Sequence, residues 1–339
     1  MELNKIFSSN MVFAANLPIR IYGEGRGMAE ISFADYSETV NSTCESWMVE
    51  FPPLSCGGPY TLKVAYEDKD VILDNIYVGM VLLCAGQSNM RFKLKEANIP
   101  EDGISADEKL RMFVTNRMED NERFSPKDGW VVAADDNIAD WSALGFFVAS
   151  EIAKRDGIAV GIIGCYQGAS IIESWVPAGT YQNAGIHLLD EEKHPDYKNP
   201  TYSAWNGDGQ LYDFSFSEVF PFSVSEVLWY QGESNSKLKS EETYAQMLSI
   251  MIDVWRRDLK NSELPFIIVQ IADYMHRDDE NWHMIQEAQL LVQNMRENVT
   301  TVVSADISES DDIHPPTKHI LAHRIAEVTK LDENDKHNL

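Results

Sequence analysis

The feature that most constrains this chain is an apolar run, Val81–Ala85, that stops abruptly at Gly86, Gln87, Ser88 and Asn89. Five residues of buried type followed by glycine and small polar residues describe a parallel strand ending in a sharp turn into a helix. In an open α/β sheet, ligands gather outside the carboxyl ends of the strands, where helix N–H groups face whatever binds. A serine at that turn lies where backbone donors can stabilise an oxyanion, which makes Ser88 a candidate nucleophile. Taken alone it could equally cap a helix, since serine is among the commonest N-caps.

The rest of the chain frames such a strand. From residue 78 onward, apolar runs at Ile158–Ile163, Val224–Tyr230, Pro265–Ala272 and Val299–Ser304 read as strands. They alternate with helical patterns at Ser142–Lys154, Tyr244–Leu259, Trp282–Asn294 and Lys318–Val328. That alternation predicts a parallel sheet with helices on both faces. Residues 1–77 differ. Leu17–Tyr22, Trp47–Phe51 and Tyr60–Tyr66 alternate with period two between glycines and prolines, which predicts a small antiparallel β-sandwich. The expected organisation is therefore a β-sandwich domain over 1–77 and an α/β domain over 78–335, with no flexible linker between them. Residues 176–214 have no clear period, and a loop of that length is expected to wall or cover the site.

With 339 residues, 44% of them hydrophobic, the chain has core material for one large or two unequal domains. Its formal charge of −26 opposes nucleic acid and anionic membranes, so neither is an expected partner. A small-molecule substrate is, and a homo-oligomer fits as well as a monomer. Cys84 and Cys165 sit in apolar strand-like runs as small buried hydrophobes, and a Cys44–Cys56 disulfide is not needed. The start of the sequence has no secretory pattern and no run reaches transmembrane length, which reads as cytoplasmic.

Four blocks then carry the chemistry: Gly86–Met90, Gly168–Trp175, Leu228–Asn235 and Asp311–Pro315. In this order they resemble the sialate O-acetylesterase family of the SGNH hydrolase superfamily, and the resemblance spans nearly the whole chain. It implies a flavodoxin-like parallel sheet and an N-terminal β-domain, matched here by Ile6–Val12 and Gly57–Leu62. It also implies a serine esterase that removes O-acetyl groups from sugars without a cofactor or metal. Four ordered blocks favour Ser88 as nucleophile over Ser88 as a cap.

Serine needs a base within hydrogen-bond reach. His314 follows Asp311 at a three-residue spacing that lets a carboxylate fold back on the imidazole, and the pair is similar to the D-x-x-H block of the superfamily. Asp273 and His276 share that spacing, but His314 lies just before the final helix and is followed by prolines. Asp312 is the alternative orienter to Asp311. For the oxyanion, the Ser88 N–H is one donor, and Gly168 another because glycine after a strand allows close backbone approach. A third donor is expected from the Trp229–Asn235 block, Gln231 ahead of Asn235. Glu233, an acceptor only when ionised, is expected to hold loops or bind sugar hydroxyls, and Gln87 to contact substrate.

The sequence departs from the family where substrate is expected to lie. Gln167 stands where tryptophan is frequent, Ala169 replaces the second of two glycines, and Leu211–Phe214 differs from the usual run. Arg91 stands where glutamate is commoner; it could meet a sialate carboxylate, but pairing with an acidic neighbour is the simpler expectation. An O-acetylated sugar, including xylan or mannan fragments, is therefore expected ahead of sialate specifically. Two rivals remain: a metallohydrolase using His314, His319 and His323, and a sugar-binding protein with a silent site. Ester hydrolysis that is unchanged by a chelator is the expected outcome. Chelator-sensitive hydrolysis would support the first rival and no hydrolysis the second.

Overall fold

The computed structural model describes residues 1–67, 69–119, 122–124, 129–187, 200–236, 241–277 and 280–329. One long strand, Asp70–Gly86, joins its two halves. The first part pairs antiparallel with Gly57–Tyr66, which continues to Gly27–Phe33 and Tyr36–Ser42. Ile19–Glu24 pairs antiparallel with Ser46–Phe51 in a separate sheet. Alternation is visible in both: Ser46–Phe51 buries Trp47, Val49 and Phe51 and exposes the residues between them. The expected boundary at 77/78 thus falls inside a continuous strand, and Val12–Ala14 pairs parallel with Tyr77–Gly79 across it.

The second part of the long strand, Val81–Ala85, is wholly buried in the centre of a parallel sheet. From one side the order runs Leu110–Val114, Val160–Tyr166, Asp70–Gly86, Glu226–Tyr230, Phe266–Val269 and Val299–Val302. All these neighbours are parallel, and Val131–Val132 adds an antiparallel edge. Counting the serine-bearing strand as first and setting Leu110–Val114 aside, the order is 2-1-3-4-5, so strand order reverses at the serine-bearing strand. The helices are those expected: Ala143–Asp156, Glu241–Asp258, Glu280–Val292 and Lys318–Val328. Among the described residues no helix is long and apolar enough to cross a membrane, and the four cysteines are free.

The N-terminal strands share a core with the parallel sheet. Phe222, which leads into strand Glu226–Tyr230, stacks on Phe13 at 5.6 Å between ring centres and lies 5.9 Å from Phe7. Trp130 donates its indole N–H to the carbonyl of Ile6 at 2.8 Å. The buried guanidinium of Arg20 donates to Glu50 at 2.8 Å and reaches across to the Leu259 carbonyl at 3.1 Å and the Ser223 hydroxyl at 3.3 Å. Removing the N-terminal strands would uncover these aromatic rings and strip half the pairing from the serine-bearing strand. Deletion of residues 1–76 should therefore yield insoluble or strongly destabilised protein. A soluble fragment of full activity would show instead that the N-terminal strands are an independent module.

Candidate active site

Register brings three of the four blocks together. Gly86 lies opposite Tyr166 on one neighbouring strand and Tyr230 on the other, so all three strands end in line. Gly86 has φ +130°, and a Cβ there would stand 2.2 Å from the Tyr230 carbonyl oxygen, so only glycine fits this close pass. Gln87 N–H then donates to that carbonyl at 2.9 Å, and the chain turns into the short helix Ser88–Arg91. Ser88 is its first residue; the capping position belongs to Gln87, and no side chain caps it. The capping alternative for Ser88 is thereby excluded. Ser142, which caps helix Ala143–Asp156, also donates its hydroxyl to the Met90 carbonyl at 2.6 Å and holds the turn from behind.

The fourth block meets this turn from the loop before the last helix. His314 Nε2 is 2.8 Å from Ser88 Oγ, hydrogen-bond distance for a base and its nucleophile. Burial, aided by the cation of Lys318, lowers the His314 pKa below its usual value, opposed by Asp312 and Glu96. A carboxylate bonded to the ring would act in the opposite direction, and Asp311 does not supply one. Asp311 is exposed and forms no hydrogen bond with His314 among the described residues. The acid that bonds this turn is Asp312, whose Oδ1 accepts from the His314 backbone N–H at 2.8 Å. A side-chain oxygen closing on the N–H two residues onward is the local turn that aspartate favours, and here it takes precedence over a carboxylate–imidazole contact.

The donors also sort differently from the sequence reading. Gly168 sits against the serine: a Cβ on it would lie 3.9 Å from Ser88 Cβ. The Ser88 and Gly168 N–H groups have no acceptor among the described residues. Gln231 and Asn235 are buried and fully engaged. Gln231 Nε2 donates to the Ser170 carbonyl at 2.9 Å and to Asn235 Oδ1 at 2.7 Å, while its Oε1 accepts from Tyr244 at 2.6 Å. Asn235 Nδ2 donates to Glu173 at 2.9 Å. Neither lines the cleft; the two amides brace the Ser170–Trp175 loop from inside.

The cleft beside Ser88 and His314 has a volume of about 610 Å³. Gln87, Arg91, Gln167 and Glu233 line it, with Tyr202, Trp205, Met118, Lys93 and Arg277. Gln167 lines it with its amide already spent, since Oε1 accepts from Met118 N–H at 2.8 Å and Nε2 donates to the Met118 carbonyl at 3.1 Å. It shapes the wall and is not a free polar contact. Gln87 Oε1 accepts, at 3.4 Å each, from the N–H groups of Gly232 and Ser234, which leaves Nε2 as its cleft-side donor. Two buried wall atoms have no partner among the described residues: Glu233 Oε2, an acceptor, and Trp205 Nε1, a donor. Tyr202 and Trp205 come from the long loop over 176–214; residues 188–199 of that loop lie outside the described residues.

The competing histidines are elsewhere. His276 is exposed, its ring 5.4 Å edge-on from Tyr274, and Asp273 accepts from Gln286 instead. His319 packs on Phe147 and His323 bonds Glu151 at 2.8 Å, so neither converges with His314. A larger groove, about 1170 Å³, runs past His319 and His323 along helix Ala143–Asp156, but it gathers no nucleophile and base.

The family model for carbohydrate esterases described as sialic acid-specific acetylesterases matches residues 78–329. XAC1771, a carbohydrate acetylesterase from Xanthomonas citri, superposes with a TM-score of 0.81 at 26% identity, covering 96% of this chain and 73% of that one. Two structures align more loosely. One is a protein from Arabidopsis thaliana, with TM-score 0.43 and 20% identity over 77% of this chain and 98% of that one. The other is NanS, with TM-score 0.44 and 13% identity over 73% and 94%. No curated protein matches.

Because Gln231 is a brace, its replacement should be felt in stability. Gln231→Leu leaves the buried Ser170 carbonyl without its donor, at a cost of about 1–3 kcal/mol, while Asn235 Oδ1 keeps Ile172 N–H at 3.0 Å and the Tyr244 hydroxyl keeps the backbone carbonyl of residue 231 at 3.0 Å. The folded fraction should hydrolyse esters within a few-fold of the parent rate. A hundredfold loss in kcat at unchanged melting temperature would restore Gln231 as an oxyanion donor.

Proposed function

Given that this chain belongs to the sialic acid-specific acetylesterase family of carbohydrate esterases, we propose that it removes acetyl groups from sugar hydroxyls with Ser88 as nucleophile and His314 as its base. That it is a carboxylic ester hydrolase acting as a carbohydrate acetylesterase follows from the family and from its likeness to XAC1771. The single observation that carries the assignment of residues is the 2.8 Å contact between His314 Nε2 and Ser88 Oγ in the cleft. His314 takes the serine proton as Oγ attacks the acetyl carbonyl, then gives it to the departing sugar oxygen. The oxyanion is held by the N–H groups of Ser88 and Gly168, supported by their closeness and their lack of other acceptors. Water releases acetate from the acyl-serine by the reverse sequence. Nothing in this scheme calls for a cofactor. We read the sheet as the flavodoxin-like sheet of SGNH hydrolases and the N-terminal strands as a β-sandwich scaffold.

For the sugar, Glu233 and Trp205 both line the cleft, and Glu233 Oε2 and Trp205 Nε1 are an acceptor and a donor without a partner among the described residues, the complement that a hydroxyl satisfies. Gln87 Nε2 adds a second donor. An O-acetylated neutral sugar is the primary reading. An acidic sugar is the second, favoured by Arg91, Lys93 and Arg277 lining one cleft in a chain of charge −26.

Ser88→Ala and His314→Ala should each reduce aryl acetate hydrolysis by about a thousandfold or more. His276→Ala should retain it. Since the reaction uses neutral His314 and burial disfavours the imidazolium, the rate should rise with pH through an apparent pKa below the ordinary 6.5 or so. An acid limb well above that value, or more than a few per cent activity in Ser88→Ala, would sink the assignment. A panel of acetylated xylo-oligosaccharide, manno-oligosaccharide and 9-O-acetyl sialic acid, run also on Arg91→Ala, decides the sugar. Hydrolysis of the sialate alone, lost in Arg91→Ala while aryl acetate activity persists, would establish the acidic reading.

A further inference from the structure

The residue after the nucleophile and the residue before the base are joined by one hydrogen bond: Asn89 Nδ2 donates to the Ile313 carbonyl at 2.9 Å. The same amide makes two further bonds. Nδ2 also donates to Glu233 Oε1 at 2.6 Å, and Oδ1 accepts from Lys318 Nζ at 2.6 Å. A carboxylate can only accept and an ammonium can only donate, so these partners fix which end of the amide faces which. All three side chains are at least 97% buried, Asn89 and Lys318 to 99%. The Lys318 ammonium lies 5.3 Å from the ring centres of both Phe92 and Tyr230. It stands four residues beyond His314, in the first turn of helix Lys318–Val328. One amide therefore ties the serine turn, the histidine loop, the third block and the last helix together.

We propose that Asn89, clamped between Lys318 and Glu233, is the positioning unit that sets the His314 loop against Ser88, in place of a carboxylate bonded to the imidazole. The inference rests on reading Ser88 and His314 as nucleophile and base. Two observations require some such unit. Among the described residues no acid bonds the His314 ring, and Asp312 reaches only its backbone. Two buried ionisable groups are also costly to keep, and a scaffold alone could use apolar side chains of similar volume there. A serine–histidine pair has little tolerance, since displacement by about 1 Å can cost a hundredfold in rate.

The unit also sets the field at the base. The charged groups acting on His314 are Lys318, Asp312 and Glu96, and those acting on Lys318 are Glu233, Glu309 and Asp312. Arg91 and Lys93 line the same cleft. Burial brings Lys318 down to about 7, against the pull of those three acids. In its charged form Lys318 opposes a second positive charge on His314. Removing that cation must therefore move the His314 titration to higher pH.

The test uses the full chain and an aryl acetate, which has no sugar hydroxyls for Glu233 to contact. Lys318→Met should lower kcat by about 10- to 100-fold with KM within about twofold, and move the acid limb of kcat/KM upward. Because Lys318→Met leaves Glu233 buried without its cation, Lys318→Met/Glu233→Gln removes both charges together. It should be soluble, and should keep both the lowered kcat and the raised limb. A purely structural role would lower the melting temperature and leave the pH limb of the folded enzyme where it was. Wild-type kcat and an unmoved limb in either folded variant would overturn the proposal. So would failure of both to fold, since the unit would then hold the fold and not the base. If wild-type hydrolysis proves independent of Ser88, the underlying reading fails first, and that outcome is distinct.

Discussion

The contact on which the site depends is the passage of Gly86 under the Tyr230 carbonyl. It lets two parallel strands stay paired to their last residue and hands that carbonyl to Gln87 N–H at 2.9 Å. On the other flank Gln167 N–H donates to the Gly86 carbonyl at 3.0 Å. Three strands therefore finish at one level, and the residues just beyond them have nowhere to go but into a shared crevice. A side chain at Gly86 would push strand Glu226–Tyr230 away, and the serine turn, the Gly168 turn and the Glu233 turn would no longer be neighbours.

Around that crevice, buried polar groups separate into braces and contacts. Gln231, Asn235, Gln167 and Asn206 all have their amides engaged by backbone groups, by one another, or by Tyr244 and Glu173. Asn206 accepts from Ile171 N–H at 3.0 Å and donates to the Ala169 carbonyl at 2.9 Å. These bonds rigidify irregular loops that have no ladder to satisfy their backbone. Among the cleft-lining residues, Glu233 Oε2 and Trp205 Nε1 are without a partner among the described residues, and the N–H groups of Ser88 and Gly168 stand beside them. Part of the unspent hydrogen-bonding capacity thus lies where a substrate would sit.

Much of this was legible from the residues, and the failures have physical causes. The strand–turn–helix blocks were readable because a parallel strand buried on both faces leaves an uninterrupted apolar run, as Val81–Ala85 and Ile158–Ile163 do. The hairpin Gly27–Phe33 to Tyr36–Ser42 was not, because its two-residue turn uses Ala34 at φ 51° where a glycine or asparagine signal would be expected. Glutamine and asparagine types could not say whether an amide faces the cleft or a neighbouring carbonyl, and the amides of Gln231 and Asn235 turn to the interior. Spacing made Asp311 the orienter, but an aspartate two residues before an N–H competes more locally, and Asp312 took the turn. Lys318 did leave a trace. It occupies the same stripe as Leu321, Ala322 and Ile325, which are buried, and a lysine on an apolar stripe is a buried lysine in need of partners.

That lysine also resolves an electrostatic problem in the site. Asp312 and Glu96 favour the protonated form of His314, and burial first, with the Lys318 cation second, opposes them. Exposed carboxylates such as Asp312 act through water and are screened, whereas Lys318 acts through protein across a buried path. The interior cation therefore adds to burial in holding the imidazole neutral. Glu233 makes the cation tolerable by supplying a counter-charge, and Asn89 keeps the two apart, so that neither the ammonium nor the carboxylate collapses onto the other and leaves the His314 loop untethered.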